Sequence, residues 1–231
     1  MATIAENLQA VTARIERAAR SARRDPSSVT LLAVSKTHPV ARIEEARVAG
    51  QAAFGENYVQ EAVEKMEALP RLEWHLIGPL QSNKTRPAAE RFDWVHTVSS
   101  EKIARRLSEQ RPEALAPLNV LIQVNISGEA TKAGVRADQV RDLAEKIQPL
   151  KGVRLRGLMA VPEPSADVGL QRSRFAEVRK LLEELKRRGL ALDTLSMGMS
   201  DDMEAAIEEG ATMVRIGTAI FGLRAKVKSA A

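Results

Sequence analysis

The sequence predicts an α/β protein: a closed (β/α)8 TIM barrel carrying one extra helix at its N-terminus. Two observations lead there. Apolar runs of strand length alternate with amphipathic helices, and that alternation implies right-handed βαβ crossovers. Several runs, such as Leu31-Leu32-Ala33-Val34 and Val120-Leu121-Ile122-Gln123-Val124, are almost continuously apolar. Strands buried on both faces, as in a parallel sheet covered by helices, look like that. A doubly wound open sheet is the competing architecture. Eight strand candidates favour the barrel, and no G-x-G-x-x-G turn follows the first of them. The chain has 231 residues, within the ~250 of a single barrel, so one domain over 1–231 is expected.

The first element, Ile4 to about Arg24, places Ile4, Leu8, Val11, Ile15 and Ala18 at helical spacing, with arginines on the other face. Asp25-Pro26 ends it, because the residue before proline is pushed out of the α region. Strands are expected at Thr30–Ser35, Ala52–Gly55, Glu73–Ile77, Trp94–Val98, Asn119–Asn125, Arg154–Leu158, Thr194–Met197 and Met213–Ile216. Helices are expected at Ala41–Ala49, Val59–Ala68, Lys84–Arg91, Glu101–Glu109, Asp138–Ile147, Ser173–Arg188, Asp201–Glu208 and Thr218–Leu223.

Composition narrows the chemistry. There is no cysteine, which excludes disulfides, thiolate nucleophiles and cysteine metal sites. His38, His75 and His96 lack metal-ligand spacing, so no metal is expected. No apolar run approaches ~20 residues, and the N-terminus lacks the apolar core of a secretory signal, so a cytoplasmic protein is expected. The net charge is +5. Nucleic acid is not the expected partner, because aromatics are only 3% and the basic residues are interspersed with acids along the helices. A small anionic ligand suits the charge better.

In such barrels the chemistry sits at the C-terminal ends of the strands. Lys36 follows the first apolar strand. A lysine emerging from apolar surroundings has its ammonium disfavoured, and a neutral amine can form a Schiff base with an aldehyde. The ordinary alternative is a lysine that snorkels to water, and position alone favours it. At the eighth strand, Arg215-Ile216-Gly217-Thr218 opens the last helix. Gly217 allows close approach, and helix N-termini in this region of barrels bind phosphate. Ser200 adds a hydroxyl, or serves only as a helix N-cap with Asp201 and Asp202 beside it. Together these handles suit a phosphorylated aldehyde such as pyridoxal phosphate. Arg215 would then face the ring and keep its nitrogen unprotonated, unless it is paired with a carboxylate such as Glu56.

The segments Ala33–Lys36, Phe54–Glu61, Trp74–Lys84, Gly157–Met159, Leu195–Asp202 and Arg215–Gly222 closely resemble, in order, those of the pyridoxal-phosphate homeostasis protein family. This YggS-type family is related to the N-terminal barrel of alanine racemase, a fold-type III pyridoxal-phosphate barrel. The resemblance implies that Lys36 holds the cofactor as an internal aldimine. It also implies phosphate binding by Ser200, Gly217 and Thr218, Arg215 at the pyridine nitrogen, Asn57 near the ring hydroxyl, and Val34 and Met197 as lining residues. Lys132 lies in a loop resembling one that carries a second functional lysine.

Racemisation needs acid/base groups on both faces of the cofactor. Alanine racemases take the second from a tyrosine of a further C-terminal β domain of the partner subunit. The chain as read stops after the eighth helix, and its one tyrosine is Tyr58. His75 is the remaining candidate base, though a histidine at a strand end is more often structural. The expectation is therefore a monomeric, non-catalytic protein that binds pyridoxal 5'-phosphate, buffers it and hands it transiently to apo-enzymes, keeping amino- and keto-acid pools balanced. A weak racemase is the first alternative. A Schiff-base aldolase acting on sugar phosphates and a ligand-free basic interaction module are the others.

Overall fold

Residues Thr30–Val34 form β1, flanked in the sheet by β2 (Ala53–Glu56) and by β9 (Met213–Ile216). Pairing continues through β3 (Glu73–Leu76) and β4 (Trp94–Val98) on one side. On the other it runs through β8 (Thr194–Ser196), β7 (Val153–Ala160) and β5 (Leu118–Asn125). A parallel β4–β5 pairing closes the ring, so all eight expected strands are present and form the predicted (β/α)8 barrel. The computed structural model describes residues 2–127 and 133–222. Lys132 lies outside the described residues.

One strand was not expected. β6 (Val135–Arg136) adds to β5 at Val124 and Asn125, beyond the stretch that β4 occupies. Two residues are too few to show a hydrophobic period.

The helices are α1 (Ile4–Ser21), α2 (Val40–Val48), α3 (Val59–Ala68), α4 (Thr85–Arg91), α5 (Glu101–Gln110), α6 (Val140–Ile147), α7 (Val168–Arg187), α8 (Met203–Glu208) and α9 (Thr218–Phe221). A capping box between Thr3 and Glu6 starts α1, and its apolar stripe is buried as expected. The helix ends at Ser21, earlier than the proline implies. Arg23 is left-handed (φ +56°), and Arg24 N–H closes back on Ala19 O at 2.8 Å. Asp25-Pro26 instead opens a short 3-10 turn. Helix α7 begins before Ser173 because the Asp167 side chain accepts from Gly169 N and Leu170 N. No helix among the described residues is long and apolar enough to cross a membrane.

The main apolar core lies between the strands and the surrounding helices. Two small separate clusters, Leu32–Ala53–Met213 and Trp94–Leu121–Met159, come from the opposite strand faces and fill the barrel interior. Between these clusters the interior is polar: His75, His96, Ser196 and Arg215 are all buried.

Candidate functional site

The segments that leave β1, β8 and β9 enclose a cavity of about 500 Å³ at the C-terminal mouth of the barrel. Val34, Lys36, Ser200, Arg215, Gly217 and Thr218, all singled out in the sequence, line it together. Asn57 and Met197 are not among its lining residues. Met197 is fully buried behind it, while Asn57 carries a buried Oδ1 without a hydrogen-bond partner among the described residues.

Lys36 sits in a turn held on both sides. Ser35 N–H extends the ladder to Gly55 O at 3.0 Å, and Thr37, left-handed at φ +65°, donates its N–H to Glu61 Oε1 at 2.6 Å. Beneath the turn lies a buried ionic cluster. Lys65 Nζ donates to Ser35 O at 2.9 Å, Glu56 Oε1 at 2.7 Å and Glu61 Oε1 at 2.6 Å. Ser35 Oγ also donates to Glu56 Oε1, at 2.6 Å. Burial pushes the Glu56 carboxyl up, against the opposing pull of Lys65. The cluster thus anchors both chain neighbours of Lys36.

Arg215 does not pair with Glu56, whose charge Lys65 satisfies. Its Nη1 donates to Ser196 O at 2.6 Å and Ser196 Oγ at 2.8 Å, and its Nη2 to Ala160 O at 2.9 Å. Burial lowers its pKa to about 10, with nearby Asp202 opposing. At neutral pH it is a desolvated cation facing the cavity.

Ser200 does not cap a helix. Helix α8 starts at Met203 with Asp202 in the cap position, and Asp202 Oδ1 instead accepts from Met199 N at 2.6 Å. Burial raises the Asp202 carboxyl. Gly217 precedes α9, which is a single turn, so a helix dipole adds little there. What this end offers is individual backbone N–H groups, since the first turn of a helix leaves them without intrahelical partners. A side chain at Gly217 would lie 3.2 Å from Val34 O, which keeps this edge of the cavity narrow.

Of the lining residues that sequence reasoning did not single out, two carry basic side chains. Arg14 reaches the cavity from α1, held by Glu204 at 2.9 and 3.0 Å, and donates to Ser200 O at 3.1 Å. On a helix rich in arginine nothing distinguishes it from its solvated neighbours. His38 lines the cavity and stacks on Phe221 with centroids 5.0 Å apart. His75, by contrast, does not reach the cavity. It is buried, stacked on Trp94 and bonded at both nitrogens, which is the structural role.

The donor set is cationic overall. Arg14, Lys36 and Arg215 face Asp201, with a hydroxyl and backbone N–H groups at one end. It can bind an anionic group at the Ser200–Thr218 side and present an amine at the other. No group of three or more acidic or histidine side chains among the described residues is arranged to hold a metal.

Comparison with known proteins identifies the family and the fold. Residues 7–225 match the family described as alanine racemase, N-terminal domain. The pyridoxal phosphate homeostasis protein of Pseudomonas aeruginosa is 60% identical over 226 residues, covering 97% of each chain. The structure of PipY from Synechococcus elongatus PCC7942 with PLP bound superposes with a TM-score of 0.82. It is 40% identical and covers 95% of this chain and 100% of that one. An alanine racemase from Clostridium difficile, at 13% identity and TM-score 0.72, shares the fold; the match covers 90% of this chain and 56% of the racemase. This chain therefore belongs to the alanine racemase N-terminal domain family and, within it, to the pyridoxal phosphate homeostasis proteins.

Proposed function

We propose that this chain binds pyridoxal 5'-phosphate in the barrel-mouth cavity and serves intracellular homeostasis of that cofactor. The observation that carries the reading is the meeting, in one cavity of about 500 Å³, of the Lys36 amine, the buried Arg215 cation and the Ser200–Gly217–Thr218 donors. A pocket of several hundred Å³ with few convergent polar groups fits a cofactor of this size. Bound there, pyridoxal phosphate would supply an aldehyde able to condense with an amine.

Each residue then has a task. Lys36 offers that amine from a turn immobilised by Ser35, Thr37 and the cluster below. Ser200 Oγ and the N–H groups of Gly217 and Thr218 bind the phosphate. Arg215, a donor without an acceptor, takes the ring nitrogen and holds it unprotonated. Asn57 is assigned to the ring hydroxyl side from just outside the lining, its buried Oδ1 having no partner among the described residues, and Val34 shapes the wall with Met197 buried behind it.

The reading is a carrier rather than an enzyme. Among the described lining residues there is no tyrosine, and the lining imidazole, His38, lies two residues from Lys36 and is stacked on Phe221. The protein would act in the cytoplasm as a monomer, releasing cofactor to apo-enzymes in transient encounters. The P. aeruginosa relative named for pyridoxal phosphate homeostasis supports this over a racemase.

The test is an absorbance titration of purified protein with pyridoxal phosphate, beside Lys36→Ala. A visible band that is lost in the variant is expected; no band in either protein overturns cofactor binding. Loaded protein should then reactivate an apo-transaminase without turning over free amino acids. Lys36-dependent racemisation would overturn the carrier reading.

A further inference from the structure

A continuous chain of hydrogen bonds crosses the barrel interior from its N-terminal rim to the cavity. Glu73 Oε1 lies 2.6 Å from His75 Nε2, and His75 Nδ1 lies 2.9 Å from His96 Nε2. His96 Nδ1 is 3.0 Å from Ser196 Oγ, which receives Arg215 Nη1 at 2.8 Å. Glu73, the first residue of β3, is half exposed, whereas His75, His96 and Ser196 are wholly buried. The binding reading above gives no task to the two histidines.

The chemistry at the two ends decides the direction of every link. A guanidinium only donates, and a carboxylate only accepts. Arg215 donates a hydrogen bond to one lone pair of Ser196 Oγ, which leaves the hydroxyl hydrogen for His96 Nδ1. His96 is then protonated at Nε2 and donates to His75 Nδ1, and His75, protonated at Nε2, donates to Glu73. Both imidazoles are neutral Nε2–H tautomers, and no member of the chain lacks a partner. The reverse direction would need one more proton inside the barrel, beside Arg215.

We propose that Glu73, His75, His96 and Ser196 form a one-directional relay that positions the Arg215 guanidinium, making them positioning residues for the face of the cavity that meets the ring nitrogen. This deepens the cofactor reading and rests on it for the identity of the ligand. With the hydroxyl hydrogen committed to His96, a lone pair of Ser196 stays on Nη1, and Ser196 O and Ala160 O complete the clamp. The guanidinium plane is fixed before ligand arrives. Charged groups flank both ends of the relay, Arg156 and Asp93 at its Glu73–His75 end and Asp202 at its Arg215 end. The His75 hydrogen bond and Arg156 keep Glu73 ionised, and burial of His75 outweighs the pull of Glu73 and Asp93 toward a charged ring. Trp94 stacks on His75 with centroids 5.3 Å apart.

The test has two arms. In ligand-free protein, nitrogen-15 NMR of the histidine rings reads the tautomers directly. Two neutral Nε2–H imidazoles are expected at neutral pH, and Ser196→Ala should change the His96 signals while the protein still melts cooperatively. An Nδ1–H tautomer or an imidazolium at either ring overturns the relay, whatever the ligand. In the second arm, pyridoxal phosphate is titrated into wild type, Glu73→Gln, Ser196→Ala and the double variant. Glu73→Gln acts from the far rim and should weaken binding roughly threefold or more when Ser196 is present, and not when it is absent. No effect, or an equal effect in both backgrounds, overturns the coupling. Expected tautomers without cofactor binding by wild type would overturn the ring-nitrogen role together with the cofactor reading.

Discussion

Lys65 Nζ lies 2.7 Å from Glu56 Oε1, and both side chains are buried beneath the turn that carries Lys36. Removing one member of such a pair leaves an uncompensated charge, whereas removing both charges is far milder. Lys65→Met should therefore cost about 3 kcal/mol or more. For a chain of this length that is a drop of roughly 6–12 °C in Tm. Adding Glu56→Gln should recover most of it, since a glutamine oxygen still accepts from Ser35 Oγ. Thermal melts of the single and double variants check this, and simple addition of the two costs would rule out the pairing as the source.

Acid should destabilise the fold before its surface carboxylates titrate. Burial holds His75 below the ordinary histidine value of 6.5, and His96 well below it. As pH falls through about 6.5, the unfolded chain takes up protons that the folded chain refuses, so stability falls with pH. Glu73 adds to the same slope at lower pH, because its hydrogen bond to His75 depresses its pKa and its stabilising charge is lost on acidification. Glu56 and Asp202, raised by burial, act in the opposite sense as they become protonated. Between about pH 7 and 5.5 the histidines begin to titrate first, and urea midpoints should decline. A flat profile over that span would contradict two neutral buried imidazoles.

Gly198 connects β8 to the Ser200 segment at φ +93°, and a Cβ there would lie 2.6 Å from Ala206 Cβ. Left-handed backbone costs a side chain about 1–2 kcal/mol, and the contact adds overpacking. Gly198→Ala should lower Tm and weaken ligand binding together, because Ser200 and Asp202 move with the turn. Gly189→Ala, left-handed at φ +92° but in open space, isolates the backbone cost. Equal losses of stability in the two variants would remove the packing argument.

The barrel was legible because burial on both faces writes itself into strands as uninterrupted apolar runs. That Lys36, Ser200, Arg215, Gly217 and Thr218 line one cavity was legible because polar residues ending such runs stand out. What was hidden depends on tertiary docking. Lys65 reads as one more polar-face residue of α3, and only the seating of that helix against β2 puts it on Glu56. The His75–His96 contact joins neighbouring strands, but the step from His96 to Ser196 spans 100 residues across the barrel, which no local pattern records. Helix ends differed where single residues intervened, the left-handed backbone of Arg23 and the capping side chain of Asp167.

Arg14 offers a test of how the cavity handles an anion. Its guanidinium lines the cavity near Ser200 yet is bound by Glu204 at 2.9 Å, with both groups partly solvated. The pair is thus close to neutral as seen by a ligand, and neighbouring exposed charges are worth little after screening. Removing the cation leaves the Glu204 charge uncompensated near the proposed phosphate side, while removing the carboxylate frees Arg14. Arg14→Ala should weaken pyridoxal phosphate binding roughly threefold, and Glu204→Gln should strengthen it by a similar factor, each effect shrinking at higher salt. Equilibrium titrations at two ionic strengths read both. If the two variants shift affinity in the same direction, the residues act through the Ser200 backbone contact and not through charge.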